Sequence, residues 1–423
     1  MHFVVMLVSA ALVFAGFFWW GRLSRTIQSV WMMLVLILIA VYAFELVRLV
    51  GSSLRNPPIW DFRCFWLFGR VALTSHEIYS TTAFHAVAQI FPFNAGWSKE
   101  VLDVGFIYPP PSIVLFAPLG LFSTPNEAAP WWFGSLLLEL VAAIVLLWRG
   151  FFREYAWAGL AGTTLLVLSF PATYITISYA QTPIFLLLLV SLYAFDTSPF
   201  RRGIWLGVAA VVKPISLILL LQPVLQRAWR PLVSAVAVMA AACVGAILIV
   251  GFSNVMAFFS SNVYQRDPGD AYTEDVNQSL LAFILRLTHQ HAAHYNLLHE
   301  PLFLALALAM GAITLYVCGR FGNRLEMFSL GAIMALALMI YPGTWVHYAE
   351  ILLLPLLALW VRAKERSMVI PASIFIIVIF SLVYFSVHVE LFAYFLCWLG
   401  FLALLVKSSA ASSGVGELVA KSG

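Results

Sequence analysis

Long apolar runs alternate with short polar stretches along the whole chain. A helix needs roughly 20 apolar residues to cross the hydrocarbon core of a bilayer, and fewer where it is partly shielded. On that rule the candidate spans are 3–20, 29–50, 107–122, 129–148, 156–176, 182–197, 203–222, 231–251, 301–318, 327–341, 349–361, 369–386 and 391–406. The pattern predicts an all-α, polytopic integral membrane protein with about 11 to 13 transmembrane helices.

Two polar stretches interrupt a single membrane domain that we assign to 1–406, and a polar tail follows it. Residues 56–105 mix aromatic side chains with Arg, His and Lys, which is typical of helices lying in the membrane interface with their rings at headgroup depth. Residues 253–300 form the longest polar loop. The tail, 407–423, is rich in Ser, Ala and Gly, so we predict that it is disordered.

The composition supports the membrane assignment and excludes other classes. Of 423 residues, 63% are hydrophobic and 10% are charged, whereas a soluble domain has roughly 25% charged residues. Most of the surface must therefore contact membrane lipid. The net charge of +4 is small for this length and gives no reason to expect a nucleic-acid partner. The four cysteines show neither metal-binding nor disulfide spacing.

Counting crossings predicts which stretches share a side of the membrane. Six spans separate 56–105 from 253–300, so both lie on one side. The other side collects Arg22, Arg25, Arg227, Arg230, Arg320, Arg324, Arg362, Lys364, Arg366 and Lys407. The positive-inside rule makes that side cytoplasmic, and the first side becomes the periplasmic or outer face of the inner (plasma) membrane.

Four arginines disagree with this count. They come out on the outer side, against the positive-inside rule: Arg149, Arg153, Arg201 and Arg202. Either one span is miscounted, or some of these side chains serve an anionic ligand.

Asp61 stands where the chain leaves the second span, next to several aromatic side chains. Partial desolvation raises the pKa of a carboxyl group, and such a carboxylate suits a general base acting on a hydroxyl near neutral pH. Arg63 is placed either to counter that shift or to hold a phosphate. The alternative interpretation is a solvated loop carboxylate beside a membrane-surface helix.

Lys213-Pro214 falls near the middle of the run 203–222. A lysine at that depth costs about 2.5–3.5 kcal/mol on insertion scales, and the proline breaks the helix. Broken helices with a buried cation commonly line a cavity, so we interpret Lys213 as a phosphate-binding side chain. A lysine that snorkels to the interface is the alternative, although either end of the run is distant.

Other polar positions are weaker signals when taken alone. Tyr108-Pro109-Pro110-Pro111 begins a helix, because proline is tolerated in the first turn. Ala180-Gln181 lies between two apolar runs, and a plain polar turn explains it as well as a cavity-lining side chain does.

Two further motifs border the outer side. Asn277-Gln278-Ser279 opens an apolar segment, and Trp345-Val346-His347 lies at a span end, where a histidine suits a hydrogen bond to phosphate or sugar. An interfacial aromatic belt with an incidental histidine fits the second motif equally. Four acids precede the first motif and could gather a divalent cation: Asp267, Asp270, Glu274 and Asp275. Acidic loops are usually just solvated, so we expect neither a metal ion nor another cofactor.

The order of these motifs resembles glycosyltransferase family 87, the polyprenyl-phosphate-mannose-dependent alpha-mannosyltransferases with the GT-C membrane fold. The matching motifs are Asp61, Tyr108-Pro109-Pro110, Ala180-Gln181, Lys213-Pro214, Asn277-Gln278-Ser279 and Trp345-Val346-His347. They extend over about 56–356, which leaves the first span and the C-terminal spans outside. Ala180 stands where the family usually has glycine.

The resemblance implies an activity and a role for each residue. Asp61 would be the catalytic base, and Lys213 and His347 would bind the donor phosphate. Sugar or phosphate contacts would come from Gln181, Asn277 and Gln278, and the donor-binding set also includes Tyr108, Arg63 and Trp345. The partners would be a polyprenyl-phosphate sugar, most often mannose, a glycolipid or polysaccharide acceptor, and membrane lipid. Transfer would take place on the outer face and invert the anomeric centre.

Three other functions remain open from the sequence. A polyprenyl-phosphate pentose or glucose transferase differs only in pocket shape. A lipid or sugar transporter usually has internal repeats with paired broken helices, and this chain shows one such break, at Lys213-Pro214. A structural membrane subunit gives no reason for a lysine in the middle of a span.

Overall fold

The computed structural model describes 2–57, 59–90, 102, 105–106, 108–260, 277–288, 300–322, 325–365, 368–385 and 390–420. Within these ranges the chain is all-α, as predicted, apart from one isolated β-bridge between Asn277 and Trp345. The α-helices are α1 His2–Trp19, α2 Arg25–Arg55, α3 Cys64–Thr74, α4 Thr81–Ile90, α5 Ile113–Phe116, α6 Pro125–Leu147, α7 Ala156–Ser169, α8 Pro171–Ser178, α9 Pro183–Phe195, α10 Pro199–Val212, α11 Leu221–Leu225, α12 Trp229–Val250, α13 Phe252–Ser260, α14 Leu280–Leu287, α15 Pro301–Phe321, α16 Glu326–Ile340, α17 Leu353–Glu365, α18 Val369–Phe385 and α19 Glu390–Ala420.

Shorter helical turns join several of these helices. They include π-helices at Ile59–Arg63 and Trp148–Phe152, and 3₁₀-helices at Pro110–Ser112, Ala117–Leu121, Pro214–Leu220 and Val346–Leu352. Many helices begin at a proline, whose fixed φ suits the first turn and whose missing N–H has no partner there in any case. These starts include Pro125, Pro171, Pro183, Pro199 and Pro301.

Six helical stretches in the described part of the chain are long and apolar enough to cross a membrane. They are Phe3–Arg22, Arg25–Arg55, Pro125–Ser169, Trp229–Val250, Pro301–Phe321 and Val346–Glu365. Further apolar helices of 10–17 residues lie among them. The protein is therefore a multi-pass membrane protein, as the sequence predicted.

The predicted span 107–122 is wrong. It consists of two 3₁₀ turns around the short α5, and Pro110–Leu121 is too short to cross a bilayer. The segment instead packs along α3, where a Cβ added at Gly69 would lie 2.2 Å from the Phe116 carbonyl oxygen. Trp66 Nε1 also donates to the Phe122 carbonyl at 3.1 Å. The hydrophobic pattern of an apolar segment is the same whether protein or lipid covers it, so the sequence does not distinguish the two cases.

The aromatic residues directly after Asp61 pack inside the protein, whereas the sequence predicted interfacial helices with their rings at headgroup depth. Phe62, Phe65, Trp66 and Phe68 are all buried within the protein. The rings of Phe65 and Phe68, together with those of Phe106 and Phe116, pack around Tyr108. The aromatic cluster therefore supports one wall of the region that contains Asp61.

The predicted span 203–222 is a re-entrant hairpin. α10 rises from one end of the bundle to Val212, and the chain returns through the 3₁₀-helix Pro214–Leu220 and α11. Both legs end at Glu326: Arg202 donates to its carboxylate, and Gln222 Nε2 donates to its carbonyl at 3.1 Å. The legs match in length, since 14 α-helical residues extend about 21 Å and 7 residues of 3₁₀-helix plus 5 of α-helix extend about the same.

The four arginines that the crossing count placed on the outer side lie at the end of the bundle that contains Glu326 and Lys364, opposite Asp61. They are Arg149, Arg153, Arg201 and Arg202. Lys364 Nζ contacts the Glu154 carboxylate at 2.6 Å, and Tyr155 donates to the Phe17 carbonyl at the far end of α1. The rings of Phe151 and Phe195 are 5.2 Å apart, which brings 149–153 next to 195–202. The crossing count was wrong because it treated 107–122 as a crossing and the hairpin as one crossing. Neither segment takes the chain to the other end of the bundle, so two crossings are removed from the count between Asp61 and Asn277. The count stays even, and the Asn277 segment stays on the Asp61 side.

The predicted polar regions are only partly described. α4 and α13 lie in the segments 56–105 and 253–300, and the positions 91–101, 261–276 and 289–299 fall outside the described residues. The backbone of α19 continues to Ala420, beyond the predicted boundary at 407. Side chains after 407 are not described, so the disorder of this tail stays a prediction.

Candidate active site

Asp61 lies in the π-helical turn Ile59–Arg63 that leads into α3. Wide π turns in otherwise α-helical segments occur frequently at functional sites. Arg63 Nη2 donates to Asn56 Oδ1 at 2.7 Å, so this guanidinium holds the end of α2 and makes no bond to Asp61. Asp61 Oδ1 accepts from the Gln181 side chain, whereas Oδ2 has no hydrogen-bond partner in the described part of the chain.

The pKa of Asp61 is raised to about 6. Burial among the surrounding side chains raises it, and the Gln181 hydrogen bond and the positive charge of Lys213 offset part of that rise. The carboxyl group is therefore ionised at neutral pH and still basic enough to take a proton. The direction agrees with the prediction from the sequence.

Gln181 is held by a turn between α8 and α9. Ala180 has φ +53°, in the left-handed region that favours glycine. Gln181 N donates to the Thr176 carbonyl at 2.9 Å, and Trp132 Nε1 donates to the Ala180 carbonyl at 2.7 Å. These bonds fix the turn, and the Gln181 side chain is 5% exposed.

Lys213 occupies the tip of the re-entrant hairpin. Its backbone is extended (φ −146°, ψ 130°), because Pro214 cannot continue α10 and favours an extended residue before it. The ammonium donates to Tyr108 Oη at 2.7 Å and to Gln181 Oε1 at 3.2 Å. It also lies 4.7 Å from the Tyr108 ring centre and 5.2 Å from that of Tyr348, within cation–π range. The sequence placed both the break and the buried cation correctly.

One amide thus separates the carboxylate from the ammonium. Gln181 presents its N–H group to Asp61 and its oxygen to Lys213, so each charge has a partner of suitable polarity. A direct ion pair would hold the pKa of Asp61 low and engage the lysine. With the amide between them, Asp61 stays basic, and Lys213 keeps one N–H for which the described residues offer no acceptor.

His347 lies on the 3₁₀-helix Val346–Leu352, next to Tyr348. It is 6% exposed, and its ring centre is 4.8 Å from that of Tyr348. Nothing in the described ranges forms a hydrogen bond with His347 Nε2. Since Tyr348 also covers Lys213, the His347 segment borders the same region as the Asp61–Gln181–Lys213 chain.

Asn277, Gln278 and Trp345 hold two segments together near this region. Asn277 pairs with Trp345 in the antiparallel bridge, and Gln278 N donates to the Thr344 carbonyl at 2.7 Å. The Asn277 side chain donates to the Pro342 carbonyl at 2.8 Å and accepts from Ser279 N at 3.1 Å. Its amide forms these two bonds within the protein, and its predicted contact to the donor stays a prediction. The roles of Gln278 and Trp345 stay predictions.

Sequence reasoning missed three residues around the site. Tyr348 covers Lys213, Trp132 fixes the Gln181 turn, and Glu350 is a fully buried acid. Only Glu350 had a usable signal, since it is an acid inside the apolar run 349–361. The other two are aromatic residues, which are common in any membrane protein.

No group of three or more His, Cys, Asp or Glu side chains suited to a metal ion occurs among the described residues. The acids of the loop before Asn277 lie outside those residues. None of the four cysteines forms a disulfide bond.

Comparison with known proteins identifies the family. The model of glycosyltransferase family 87 matches residues 106–342, which is more than half of the chain. The chain belongs to glycosyltransferase family 87. The matched region of this family 87 enzyme contains Tyr108, Gln181, Lys213 and Gln278, whereas Asp61 and His347 lie outside it.

Named relatives of this family 87 glycosyltransferase come from mycobacteria. It is 24% identical over 338 residues to a polyprenol-phosphate-mannose-dependent alpha-(1-2)-phosphatidylinositol mannoside mannosyltransferase of Mycolicibacterium smegmatis, with 76% of this chain and 73% of the relative covered. It is 32% identical over 193 residues to an alpha-(1->3)-arabinofuranosyltransferase of Mycobacterium tuberculosis, with 40% of this chain and 41% of the relative covered. No solved structure matches significantly.

Proposed function

We propose that this glycosyltransferase moves a mannosyl group from a polyprenyl-phosphate donor to a hydroxyl group of a glycolipid or polysaccharide. Transfer inverts the anomeric centre and takes place at the outer face of the plasma membrane. Asp61 is the general base, and Lys213 and His347 bind the donor phosphate.

The observation that carries this proposal is the chain Asp61–Gln181–Lys213. Its carboxylate has an open oxygen and a pKa of about 6, and its buried ammonium is held by Tyr108 and Gln181. A base and a cation at the two ends of one amide suit a reaction that removes a proton at one place and develops negative charge at another.

The proposed reaction balances without a further reactant. The acceptor hydroxyl loses its proton to Asp61 Oδ2 as its oxygen attacks the anomeric carbon. The bond from that carbon to the phosphate oxygen breaks, and its electron pair leaves with the polyprenyl phosphate. Lys213 stabilises the charge on the departing phosphate, and a preorganised cation in a low-dielectric site does this more effectively than water.

The arrangement of cationic side chains supports an outer active site. Arg149, Arg153, Arg201 and Arg202 join the other basic residues at the end of the bundle opposite Asp61. An excess of Lys and Arg is typical of cytoplasmic loops. The Asp61 end would then face the periplasm or the cell exterior.

Mannose is the sugar favoured by the relative that covers most of this chain, which is named as polyprenol-phosphate-mannose-dependent. A pentose is the second candidate, because the relative with higher identity over a shorter stretch is named as an arabinofuranosyltransferase.

The test uses the purified full-length protein in lipid nanodiscs. Separate reactions would contain radiolabelled polyprenyl-phosphate mannose, arabinofuranose or glucose with a bacterial envelope lipid extract, and the labelled product would be identified by mass spectrometry. We expect mannose transfer to a glycolipid in alpha linkage. Transfer of the pentose alone would replace mannose as the donor sugar, and no transfer from any of the three would refute the proposal.

A further inference from the structure

Glu350 is a buried acid outside the chain of hydrogen bonds that joins Asp61 to Lys213. It is fully inaccessible to solvent and lies within a span. No cation pairs with it in the described part of the chain, where its hydrogen-bond partner is the Thr173 hydroxyl, 2.8 and 3.0 Å from its two oxygens. An ionised carboxylate buried without a cation is costly, so this acid needs another explanation.

The number of hydrogen atoms that Glu350 and Thr173 have to share indicates that the carboxyl group of Glu350 is protonated. Thr173 Oγ1 also lies 2.8 Å from the Val167 carbonyl oxygen, which can only accept. A hydroxyl group has one hydrogen to donate. If Thr173 donates to Val167, then its contact with Glu350 needs a hydrogen from the carboxyl group. A neutral Glu350 satisfies both contacts, whereas an ionised one leaves one of them without a hydrogen.

The pair joins the two segments that carry Gln181 and His347. Thr173 lies on α8, which ends at Ser178, just before the Gln181 turn. Glu350 lies on the 3₁₀-helix Val346–Leu352, three residues after His347. Residues i and i+3 of a 3₁₀-helix share a face, so Glu350 anchors the face of the helix to which His347 also belongs.

We propose that Glu350, as a neutral acid hydrogen-bonded to Thr173, is a positioning residue that fixes the separation of the Gln181 turn and the His347 helix. This inference rests on the proposed function only in naming the donor phosphate as the ligand that these segments bind. The 3₁₀-helix has weaker backbone hydrogen bonds than an α-helix, so a side-chain contact between elements has a larger share in holding it. A displacement of about 1 Å at a reacting centre costs up to roughly 100-fold in rate.

Three variants and one control separate positioning from other roles. Glu350→Gln keeps a neutral side chain that donates to Thr173, whereas Glu350→Leu and Thr173→Val each remove the contact at similar volume. Thr163→Val is the matched control, because Thr163 is equally buried and donates only to Gly159 of its own helix.

We expect Glu350→Gln to keep kcat/KM for the donor within about twofold. Glu350→Leu and Thr173→Val should each lower it by about 100-fold, the loss expected for a displacement of that size. The double variant should be no worse than either single one, because both remove the same contact. Thr163→Val should stay within twofold of wild type. Equal loss in Glu350→Gln and Glu350→Leu would refute the neutral acid, and values near wild type for Glu350→Leu and Thr173→Val would refute positioning.

Hydrogen exchange followed by mass spectrometry gives a readout that needs no activity. Glu350→Leu and Thr173→Val should raise exchange about fivefold or more in both 171–183 and 341–353, and Glu350→Gln and Thr163→Val should not. Unchanged exchange in the first two variants would overturn the inference. If the wild-type protein transfers no sugar while exchange follows this pattern, the proposed function fails and the positioning role stands.

Discussion

At the scale of single residues, the separation of Asp61 from Lys213 by Gln181 decides what each charge is able to do. The carboxylate stays basic because its partner is an amide, and the ammonium stays available because it has no carboxylate to neutralise it. Both side chains therefore depend on a neutral residue between them, and their behaviour with pH and with substitution tests this arrangement.

The pH dependence of transfer should follow Asp61. Its pKa is raised to about 6, so the base is ionised above pH 6 and protonated below it. We expect log kcat/KM to rise with a slope of one up to about pH 6, with roughly a tenth of its limiting value at pH 5. Asp61→Asn should abolish transfer, since an amide does not accept the proton. Glu77→Gln is the control, because Glu77 is an exposed acid of the same outer segment. A flat profile from pH 5 to 8, or substantial turnover by Asp61→Asn, would remove Asp61 as the base.

Lys213→Met should impair use of the donor more than use of the acceptor. Loss of the ammonium removes stabilisation of the departing phosphate, and loss of one such preorganised contact costs about 10²–10³ in rate. Steady-state kinetics with each substrate varied in turn would measure the split. Lys364→Met, which changes a lysine at the opposite end of the bundle, should leave both parameters close to wild type. An unchanged rate and donor KM in Lys213→Met would argue against a phosphate role.

At the scale of elements, the sequence predicted where helices break better than it predicted the direction that the chain takes after each break. Lys213-Pro214 and Ala180-Gln181 are local chemistry, since a proline ends a helix and a polar turn interrupts an apolar run wherever they occur. The return of the chain through Pro214–Leu220 depends instead on Glu326, more than 100 residues later. The pairing of Glu350 with Thr173 is beyond sequence reasoning for the same reason, because the two residues are 177 positions apart.

The Gln181 turn makes a prediction of its own about stability. Ala180 holds φ +53°, which costs an L-residue roughly 1–2 kcal/mol, and removing its buried methyl group costs about 0.8 kcal/mol. Ala180→Gly should therefore leave the free energy of unfolding unchanged or raise it by up to about 1 kcal/mol, with transfer intact. Ala180→Val should destabilise strongly, because a β-branched residue is a true outlier at positive φ. Thermal unfolding in detergent, with transfer activity alongside, would measure both. A destabilised Ala180→Gly variant would show that the methyl contacts outweigh the strain.

At the scale of the whole molecule, Lys and Arg are concentrated at one end of the bundle more clearly in the structure than the sequence predicted. The four arginines that violated the positive-inside rule lie at the basic end once 107–122 is taken out of the crossing count. Each crossing switches the side on which the next loop lies. Counting 107–122 as a crossing therefore placed the loops between that segment and the hairpin at the wrong end of the bundle. The number of apolar runs was sound, but sequence alone does not tell a crossing from a segment folded against protein.

Cysteine labelling in whole cells tests this arrangement. In a Cys243→Ala background, which removes the partly exposed native thiol, Thr82→Cys should react with a membrane-impermeant maleimide from outside. Thr197→Cys, at an exposed position between α9 and α10, should react only after the membrane is opened. Both variants must keep transfer activity. Labelling of Thr197→Cys in intact cells would overturn the proposed orientation.

The re-entrant hairpin also has a consequence for biosynthesis. When 199–225 leaves the ribosome, the residues that receive its tip, Tyr108 and Gln181, have already been made, whereas Glu326, which closes its base, has not. During that interval the segment presents a run of apolar residues long enough to insert as an ordinary crossing. The nascent protein must therefore hold the tip lysine against its earlier partners until α16 is synthesised, and a chain truncated before Glu326 would be open to inversion of everything after α10.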